Sequence, residues 1–175
     1  MVDAQQFDKM KQLVFKAIRS KSAVPLEELL TNKGFPVDTV IMPLGVTPFL
    51  YCAAIGSADC LQKIINAGPE PAQVDTLGRN AFHYACKSGN LDTFKLLYDT
   101  YGEDEKMDLD AQSESGVTPL MAAIQSVEAE LVVECLNKQA NPFLVDGFGK
   151  TALHYANHMR AVNNVDFQGL ITQAE

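Results

Sequence analysis

A short segment recurs four times in this chain, and its spacing limits the folds that the chain can adopt. Aligned on the polar residue that precedes an apolar run, the copies begin at Thr47, Asn80, Thr118 and Thr151, at intervals of 33, 38 and 33 residues. Each copy follows a turn signal that contains glycine and reads as the start of an amphipathic helix. A period of this length, with one short insertion, is typical of a stacked repeat protein.

Each complete repeat also contains a second apolar segment with helical spacing. The sequence predicts these second helices over residues 58–67, 91–100 and 129–138. Thr47 and Thr118 are good N-caps for the first helices, and a proline at the next position suits a first helical turn. The recurring unit is therefore a pair of helices joined by a turn.

The two ends of the chain depart from this pattern. We expect a single domain in which residues 1–37 form a diverged N-terminal capping repeat, with helices over residues 4–20 and 25–32. Residues 38–145 hold the central repeats, with an insertion near residues 102–107. Residues 146–175 form a C-terminal capping repeat, whose second helix is predicted to begin near Asn163 and to bury Phe167 and Ile171.

Composition narrows the classes of partner and compartment. The formal charge of −8 argues against a nucleic-acid binder and favours basic partners over strongly acidic ones. Four cysteines without ligand spacing indicate reduced core thiols rather than a metal site. The chain has no apolar stretch long enough to cross a membrane, so we expect a soluble protein of a reducing compartment, cytoplasmic or within a cytoplasmic assembly, with the nucleus also possible.

One local motif suggests a different function. Gly149, Lys150 and Thr151 resemble the end of a phosphate-binding loop, but that loop needs a glycine where this chain has Leu144. Gly149 and Thr151 also have counterparts at the same repeat positions, so the repeat itself accounts for them. A nucleotide-binding enzyme stays a distant alternative.

With the period and these recurring residues established, the chain resembles the ankyrin-repeat family, whose pattern reads approximately D-x-x-G-x-T-P-L-H-x-A-A-x-x-G. The residues that match in the second copy are Asp75, Gly78, Asn80, Ala81, Phe82, His83, Ala85, Cys86 and Gly89. The resemblance covers approximately residues 38–172. It implies an all-α solenoid of stacked helix-turn-helix pairs joined by β-hairpin-like turns.

The resemblance also gives roles to single residues. It implies that His83 and His154 bridge neighbouring turns, and that Leu50 and Met121, which replace this histidine elsewhere, lose two such links. Val127 and Arg160 occupy positions where the family has glycine. We therefore expect altered helix-to-helix turns in the last two repeats.

Stacked helix pairs leave a long concave surface of turn tips and inner helices, where the resemblance implies that proteins bind. Each of four tips carries one apolar residue, and we expect Leu77 and Phe148 to be the anchors of a partner, with charged residues at the rim. The candidate partner-binding residues are Leu44, Val46, Ile55, Leu77, Arg79, Lys87, Val117, Gln125, Phe148, Lys150, His158 and Met159. Whether the apolar tips are exposed or pack on each other is left open.

These observations favour a non-catalytic adaptor or structural subunit that binds one or more proteins. No set of converging acid, base and nucleophile residues is evident, so we expect no enzymatic activity, cofactor or small-molecule substrate. The alternative within the same class is a stoichiometric inhibitor of an enzyme. We expect neither nucleic-acid binding nor membrane insertion.

Overall fold

The computed structural model describes residues 4–102 and 107–163, together with residues 167, 169 and 171. Helices account for most of these residues, and the one β-type pairing within them is an isolated bridge between Met42 and Val46. The helices of the described ranges are α1 (Ala4–Arg19), α2 (Ala23–Thr31), α3 (Pro48–Ile55), α4 (Ala58–Asn66), α5 (Ala81–Ser88), α6 (Leu91–Tyr101), α7 (Pro119–Ser126), α8 (Ala129–Asn137) and α9 (Ala152–Asn163).

The helices form two parallel rows. In the inner row, α1, α3, α5, α7 and α9 pack each against the next, and in the outer row α2, α4, α6 and α8 do the same. Each inner helix from α1 to α7 also packs against the outer helix that follows it, so one apolar core runs between the rows. The predicted all-α solenoid is confirmed. We number the repeats one to four by their inner helices α3, α5, α7 and α9.

The inner helices begin where the recurring polar residues predict. The side chains of Thr47, Asn80 and Thr118 accept hydrogen bonds from the main-chain N–H groups of Leu50, His83 and Met121 at 3.5, 3.1 and 3.3 Å. These bonds satisfy amides that have no partner within the helix. The cap residues are themselves buried, so local sequence fixes both the start of each helix and its place in the core.

Val127 keeps the turn that its repeat was expected to lose. Gly56 and Gly89 end α3 and α5 in the left-handed region, at φ 64° and 72°, and Val127 ends α7 there as well, at φ 67°. The expectation of an altered turn was wrong, because Val127 adopts the glycine conformation and its N–H donates to the Ile124 carbonyl oxygen as the amides of Gly56 and Gly89 do in their turns. A β-branched side chain in this conformation is strained.

Arg160 also differs from its expected role, since no turn occurs there. Helix α9 continues through Arg160 to Asn163 and is four residues longer than α3, α5 and α7. The helix predicted from Asn163 onward falls largely outside the described residues, although Phe167 and Ile171 are buried as predicted. Residues 103–106, the centre of the predicted insertion, also lie outside the described part.

The turns that precede the inner helices form a ladder along one edge of the stack. Main-chain N–H groups of Thr76, Glu114 and Gly147 donate to the carbonyl oxygens of Leu44, Leu77 and Ser115 in the preceding turn, at 2.8, 2.9 and 2.8 Å. Each turn contains a glycine at the same position with φ between 70° and 75°. The ladder fixes the spacing of the tips, and so the surface they present.

His83 provides a second link between repeats. Its Nε2 donates to the carbonyl oxygen of Val117 at 2.9 Å, and its Nδ1 accepts from the main-chain N–H of Asn80 at 3.3 Å. Burial lowers the pKa of His83, which favours this neutral form. Leu50 and Met121 are buried apolar groups at the equivalent positions. His154 is exposed, and its Nδ1 lies 2.9 Å from the Thr151 hydroxyl.

Candidate functional site

Three apolar side chains project from the tips of the repeats. Leu44, Leu77 and Phe148 occupy the same position of their turns, and their exposed fractions are 50%, 39% and 82%. In the third repeat this position is Ser115, next to the exposed Glu114. The apolar row therefore has three members rather than four.

Val46 and Val117 lie elsewhere than predicted. They align with Arg79 and Lys150, two residues after the tip position. Val46 is only 6% exposed and belongs to the core, so it is not available to a partner, and Val117 is half-buried. Val117 was predicted to belong to the apolar row because the sequence pattern does not distinguish the tip position from the position two residues later.

In the second repeat the Arg79 side chain is held by its own turn. Its guanidinium Nε donates to the Asp75 carboxylate at 2.7 Å and its Nη2 donates to the Tyr84 hydroxyl at 2.9 Å, while Tyr84 donates to Asp75 at 2.7 Å. Asp75 is buried, and its charge is balanced within this cluster. Arg79 therefore forms a structural ion pair with Asp75 and is not a cation that is free to contact a partner.

Burial and hydrogen bonding act in opposite directions on the pKa of Asp75 in this cluster. Burial by itself would raise the pKa of Asp75, but hydrogen bonds from Arg79, Tyr84 and the Leu77 amide bring the pKa below its ordinary value. Burial and the neighbouring carboxylate raise the pKa of Tyr84 to about 12. The cluster is thus a carboxylate, a cation and a neutral phenol at neutral pH.

The fourth repeat builds the same cluster with a lysine. The Tyr155 hydroxyl donates to the Asp146 carboxylate at 2.8 Å, and the main-chain N–H of Lys150 donates to its other oxygen at 2.8 Å. The Lys150 ammonium makes no ion pair within 4 Å in the described part of the chain. Burial by itself would raise the pKa of Asp146, but hydrogen bonds from the Lys150 amide, Tyr155 and the Phe148 amide, together with the charge of Lys150, bring the pKa below its ordinary value. This ammonium is exposed beside Phe148.

The third repeat lacks the cluster, and a cleft opens in its place. Ser113, Val117 and Ala122 stand where the second repeat has Asp75, Arg79 and Tyr84. The missing bulk leaves a cleft of about 480 Å³. Its apolar floor is formed by Val117 and Ala122, and its walls include Leu77, Arg79, Lys87 and Gln125.

A second cleft of about 510 Å³ adjoins the first, since Gln125 lines both. Its other lining residues include Phe148, Lys150, His154, His158 and Met159. We call the two clefts together the front groove. Nine of the twelve candidate residues predicted from the sequence line it, and the three that do not are Leu44, Val46 and Ile55.

Sequence reasoning missed Ala122, which lines the first cleft of the front groove. A small residue in an inner helix reads as core, and Ala122 is indeed buried. The available signal was the comparison between repeats: Tyr51, Tyr84 and Tyr155 occupy the position that Ala122 takes in the third repeat.

The residues of the nucleotide-like motif serve the fourth turn. Gly149 provides the left-handed residue of that turn at φ 72°, the amide of Lys150 closes it on Asp146, and Thr151 contacts His154. Gly45, Gly78 and Gly116 provide the same left-handed residue in the other turns, and the Arg79 amide closes the second turn on Asp75. This geometry supports the repeat explanation of the motif.

Membrane-spanning helices are also absent from the described residues, because none of the helices there is both long and apolar enough to cross a bilayer.

Comparisons with known proteins agree with this architecture. A family model described as ankyrin repeats (3 copies) matches residues 13–108, and another described as ankyrin repeats (many copies) matches residues 103–156. Neurogenic locus notch homolog protein 2 of Homo sapiens is 34% identical over 114 residues, which are 65% of this chain. Neurogenic locus notch homolog protein 1 of Xenopus tropicalis is 31% identical over 130 residues, or 74% of this chain. The chain spans only 4% and 5% of the lengths of these two relatives.

Proposed function

This chain belongs to the ankyrin-repeat family, and we propose that it is a non-catalytic adaptor or structural subunit that holds a partner protein in its front groove. The observation that carries this proposal is the cleft over Val117 and Ala122, which has an apolar floor and opens beside two exposed apolar tips. Ankyrin repeats are protein-interaction modules, which supports the general class. The choice of surface comes from the groove itself.

The apolar residues around the groove are suited to anchor a partner. Phe148 exposes 82% of its surface and Leu77 39%, and each lines a different half of the groove. Exposed apolar groups gathered around a concave surface mark interaction sites, and a few such anchors supply most of the binding free energy. A partner that covers both tips and fills the cleft would remove all of this area from water.

The polar groups near the groove support binding more than catalysis. Asp75 and Asp146 are each bonded to a tyrosine and to main-chain amides of their own turn, and both ring nitrogens of His83 are engaged. A general acid or base needs a free position toward substrate at a suitable pKa. These groups instead complete the turns that shape the groove.

Filling the cleft is the sharpest test. Ala122→Tyr introduces the side chain that the other repeats carry at this position, so the fold should accept it while the floor of the cleft is covered. We expect capture of native partner proteins to fall at least about tenfold, which corresponds to the loss of about 1.4 kcal/mol. The melting temperature should stay within a few degrees of that of the unmodified protein.

A second variant tests the anchors. Leu77→Ser combined with Phe148→Ser should abolish the same capture, whereas Phe143→Ser, which alters an exposed phenylalanine outside the groove, should leave it unchanged. Partner recovery that survives both Ala122→Tyr and the double variant, with folding intact, would contradict the proposal. If the captured partner is an enzyme that loses activity on binding, the role is that of an inhibitor.

A further inference from the structure

Charge is divided between the two rows of helices. The described inner helices carry six basic residues and one acidic residue, whereas the outer helices carry seven acidic and two basic residues. The inner set is Lys9, Lys11, Lys16, Arg19, Lys87, Arg160 and Asp8, and the outer set is Glu27, Glu28, Asp59, Asp92, Asp99, Glu130, Glu134, Lys63 and Lys95. The net charge of −8 therefore does not describe the concave side.

Of the basic residues of the inner helices, Lys87 lines the front groove, and the turns of the second and fourth repeats add Arg79 and Lys150. Lys87 and Lys150 are exposed, and neither makes an ion pair within 4 Å in the described ranges. The Asp75 carboxylate is paired with Arg79. The Asp146 carboxylate is buried and accepts hydrogen bonds from Tyr155 and from two amides of its own turn, so it keeps its charge but does not project into the groove. Among the described residues that line the groove, this leaves Glu114 as the one exposed carboxylate.

Two further features favour an anionic ligand at the groove. His154 and His158 are exposed in the second cleft, where they offer ring N–H donors beside Lys150. The acidic residues of the outer helices lie on the opposite side of the core, and at physiological ionic strength charge effects decay over about 8 Å. The local field at the groove is consequently set by its own charged groups, of which the exposed ones are Lys87, Lys150 and Glu114.

We propose that the groove binds an acidic segment of a partner protein, in which carboxylates flank an aliphatic or aromatic side chain. The apolar side chain enters the cleft over Val117 and Ala122 and packs against Phe148, and the carboxylates face Lys87 and Lys150. This inference rests on the proposed function and gives the chemistry of its partner. An acidic partner is the opposite of the basic partner that the net charge of the chain favours.

The test uses a displayed library of random peptides of about a dozen residues, which extend to about 40 Å and can span the groove. Peptides selected on the intact chain should be enriched in Asp and Glu around at least one large apolar residue. Selection on a Lys87→Glu, Lys150→Glu double variant should lose this acidic bias. Selection on a Lys95→Glu variant, which alters an exposed lysine of the outer helix α6, should keep it.

A selected peptide then allows affinities to be measured. Each reversal at Lys87 or Lys150 should raise the dissociation constant about fivefold, and Glu114→Lys should lower it about threefold, as expected for exposed charge pairs. Binding should weaken as salt is raised from about 0.05 M to about 0.5 M. Lys95→Glu should change the dissociation constant by less than twofold, within the effect of a distant surface charge.

The outcomes separate this inference from the function on which it rests. Peptides of neutral or basic composition whose binding is lost in the Leu77→Ser, Phe148→Ser variant would overturn the acidic partner and retain the groove. Binding insensitive to that variant would overturn both, as would a library that yields no enriched peptides. Single-stranded DNA that binds through Lys87 and Lys150 more tightly than the acidic peptides would also overturn the inference, because it would identify a polyphosphate ligand.

Discussion

Val127 carries a backbone conformation that its side chain disfavours. At φ 67° and ψ 13° it occupies the place that Gly56 and Gly89 take in the preceding repeats. The left-handed region destabilises the fold by about 1–2 kcal/mol at a residue with a Cβ atom, and glycine avoids this strain. Glycine also makes the unfolded chain more flexible, which offsets part of the gain in stability. Val127→Gly should therefore raise the free energy of unfolding by about 1 kcal/mol in urea denaturation.

The matched control for this prediction is Val127→Ala. Alanine retains a Cβ atom and so retains most of the strain, and we expect its stability to remain within about 0.5 kcal/mol of the unmodified protein. If Val127→Gly is no more stable than Val127→Ala, packing of the valine side chain outweighs its backbone strain and the prediction is wrong.

Residue-level roles were predictable where a single side chain acts alone. His83 could be predicted as a bridge, and Phe148 as an exposed tip, from their positions in the repeat. Arg79 was predicted as a charged rim contact, but its guanidinium lies against Asp75 and Tyr84. These contacts of Arg79 depend on how the turn folds back on its helix, and the spacing of residues in the sequence does not predict that geometry.

At the level of elements, the turn around Asp75 links stability to pH. The pKa of Asp75 is lowered in the folded chain, so its contribution is fully present above the ordinary carboxyl value of about 4 and is lost as pH falls through the lower folded value. Asp75→Asn keeps an acceptor for the turn amides but removes the charge that Arg79 faces. We expect a loss of about 1–2 kcal/mol at pH 7.

The pH dependence distinguishes this cause from a general defect. The difference in unfolding free energy between the unmodified chain and Asp75→Asn should be constant from about pH 5 to pH 8 and should shrink below about pH 4. Asp99→Asn, an exposed change at the end of α6, should alter stability by less than about 0.5 kcal/mol. A difference that persists undiminished at acidic pH would contradict the assignment.

The ladder of turns can be tested with two glycines in the same conformation. Gly116 has φ 75°, and a Cβ atom there would lie 2.7 Å from the main-chain nitrogen of Gly147 in the next turn. Gly149 has φ 72°, and a Cβ atom there would meet no described atom within 4 Å. Gly149→Ala should cost about 1 kcal/mol from backbone strain, and Gly116→Ala should cost at least about 1 kcal/mol more.

Thermal and urea unfolding of the two variants gives the comparison directly. Equal losses would mean that the tips of the third and fourth repeats separate easily and that the ladder does not hold them at a fixed spacing. The groove would then be wider in solution than its geometry indicates, since Ser115 and Phe148 belong to those two turns.

The elements themselves were largely predictable, and the cleft between them was not. Helix starts follow from Thr47, Asn80 and Thr118, which act locally through one hydrogen bond each. The cleft instead arises because Val117 and Ala122 have smaller side chains than Arg79 and Tyr84, which occupy the same positions in the second repeat. Such a difference can be seen only when the repeats are superimposed.

At the scale of the whole molecule, the period of the sequence was sufficient to predict a stack, because helices of this length are stable only when their apolar faces meet those of neighbours. The sign of the charge on each side of the stack was not predictable from the total charge. Acidic residues outnumber basic ones overall, yet the two signs are sorted onto opposite rows by which face each helix buries. The net charge therefore describes the average surface of such a stack, while one side of the stack can carry the opposite sign of charge.

A stack held together by neighbour contacts should also be unequally stable along its length. The α5–α6 pair packs on α3 and α4 on one side and on α7 and α8 on the other, while the α1–α2 pair packs on α3 and α4 alone. Phe82, Phe94 and Leu97 of the central pair are fully buried. Amide hydrogens of α5 and α6 should exchange at least about tenfold more slowly than those of α1 and α2.

Hydrogen–deuterium exchange with mass spectrometry resolves these helices as separate peptides, with rates corrected for the intrinsic exchange of each sequence. Leu97→Ala, which leaves a cavity in the central pair, should speed exchange throughout the chain, because opening there removes the support of both sides. Leu26→Ala, in α2, should speed exchange mainly in α1 and α2. If both variants accelerate all helices equally, the chain unfolds as one cooperative unit, and neighbour-by-neighbour stability does not describe it.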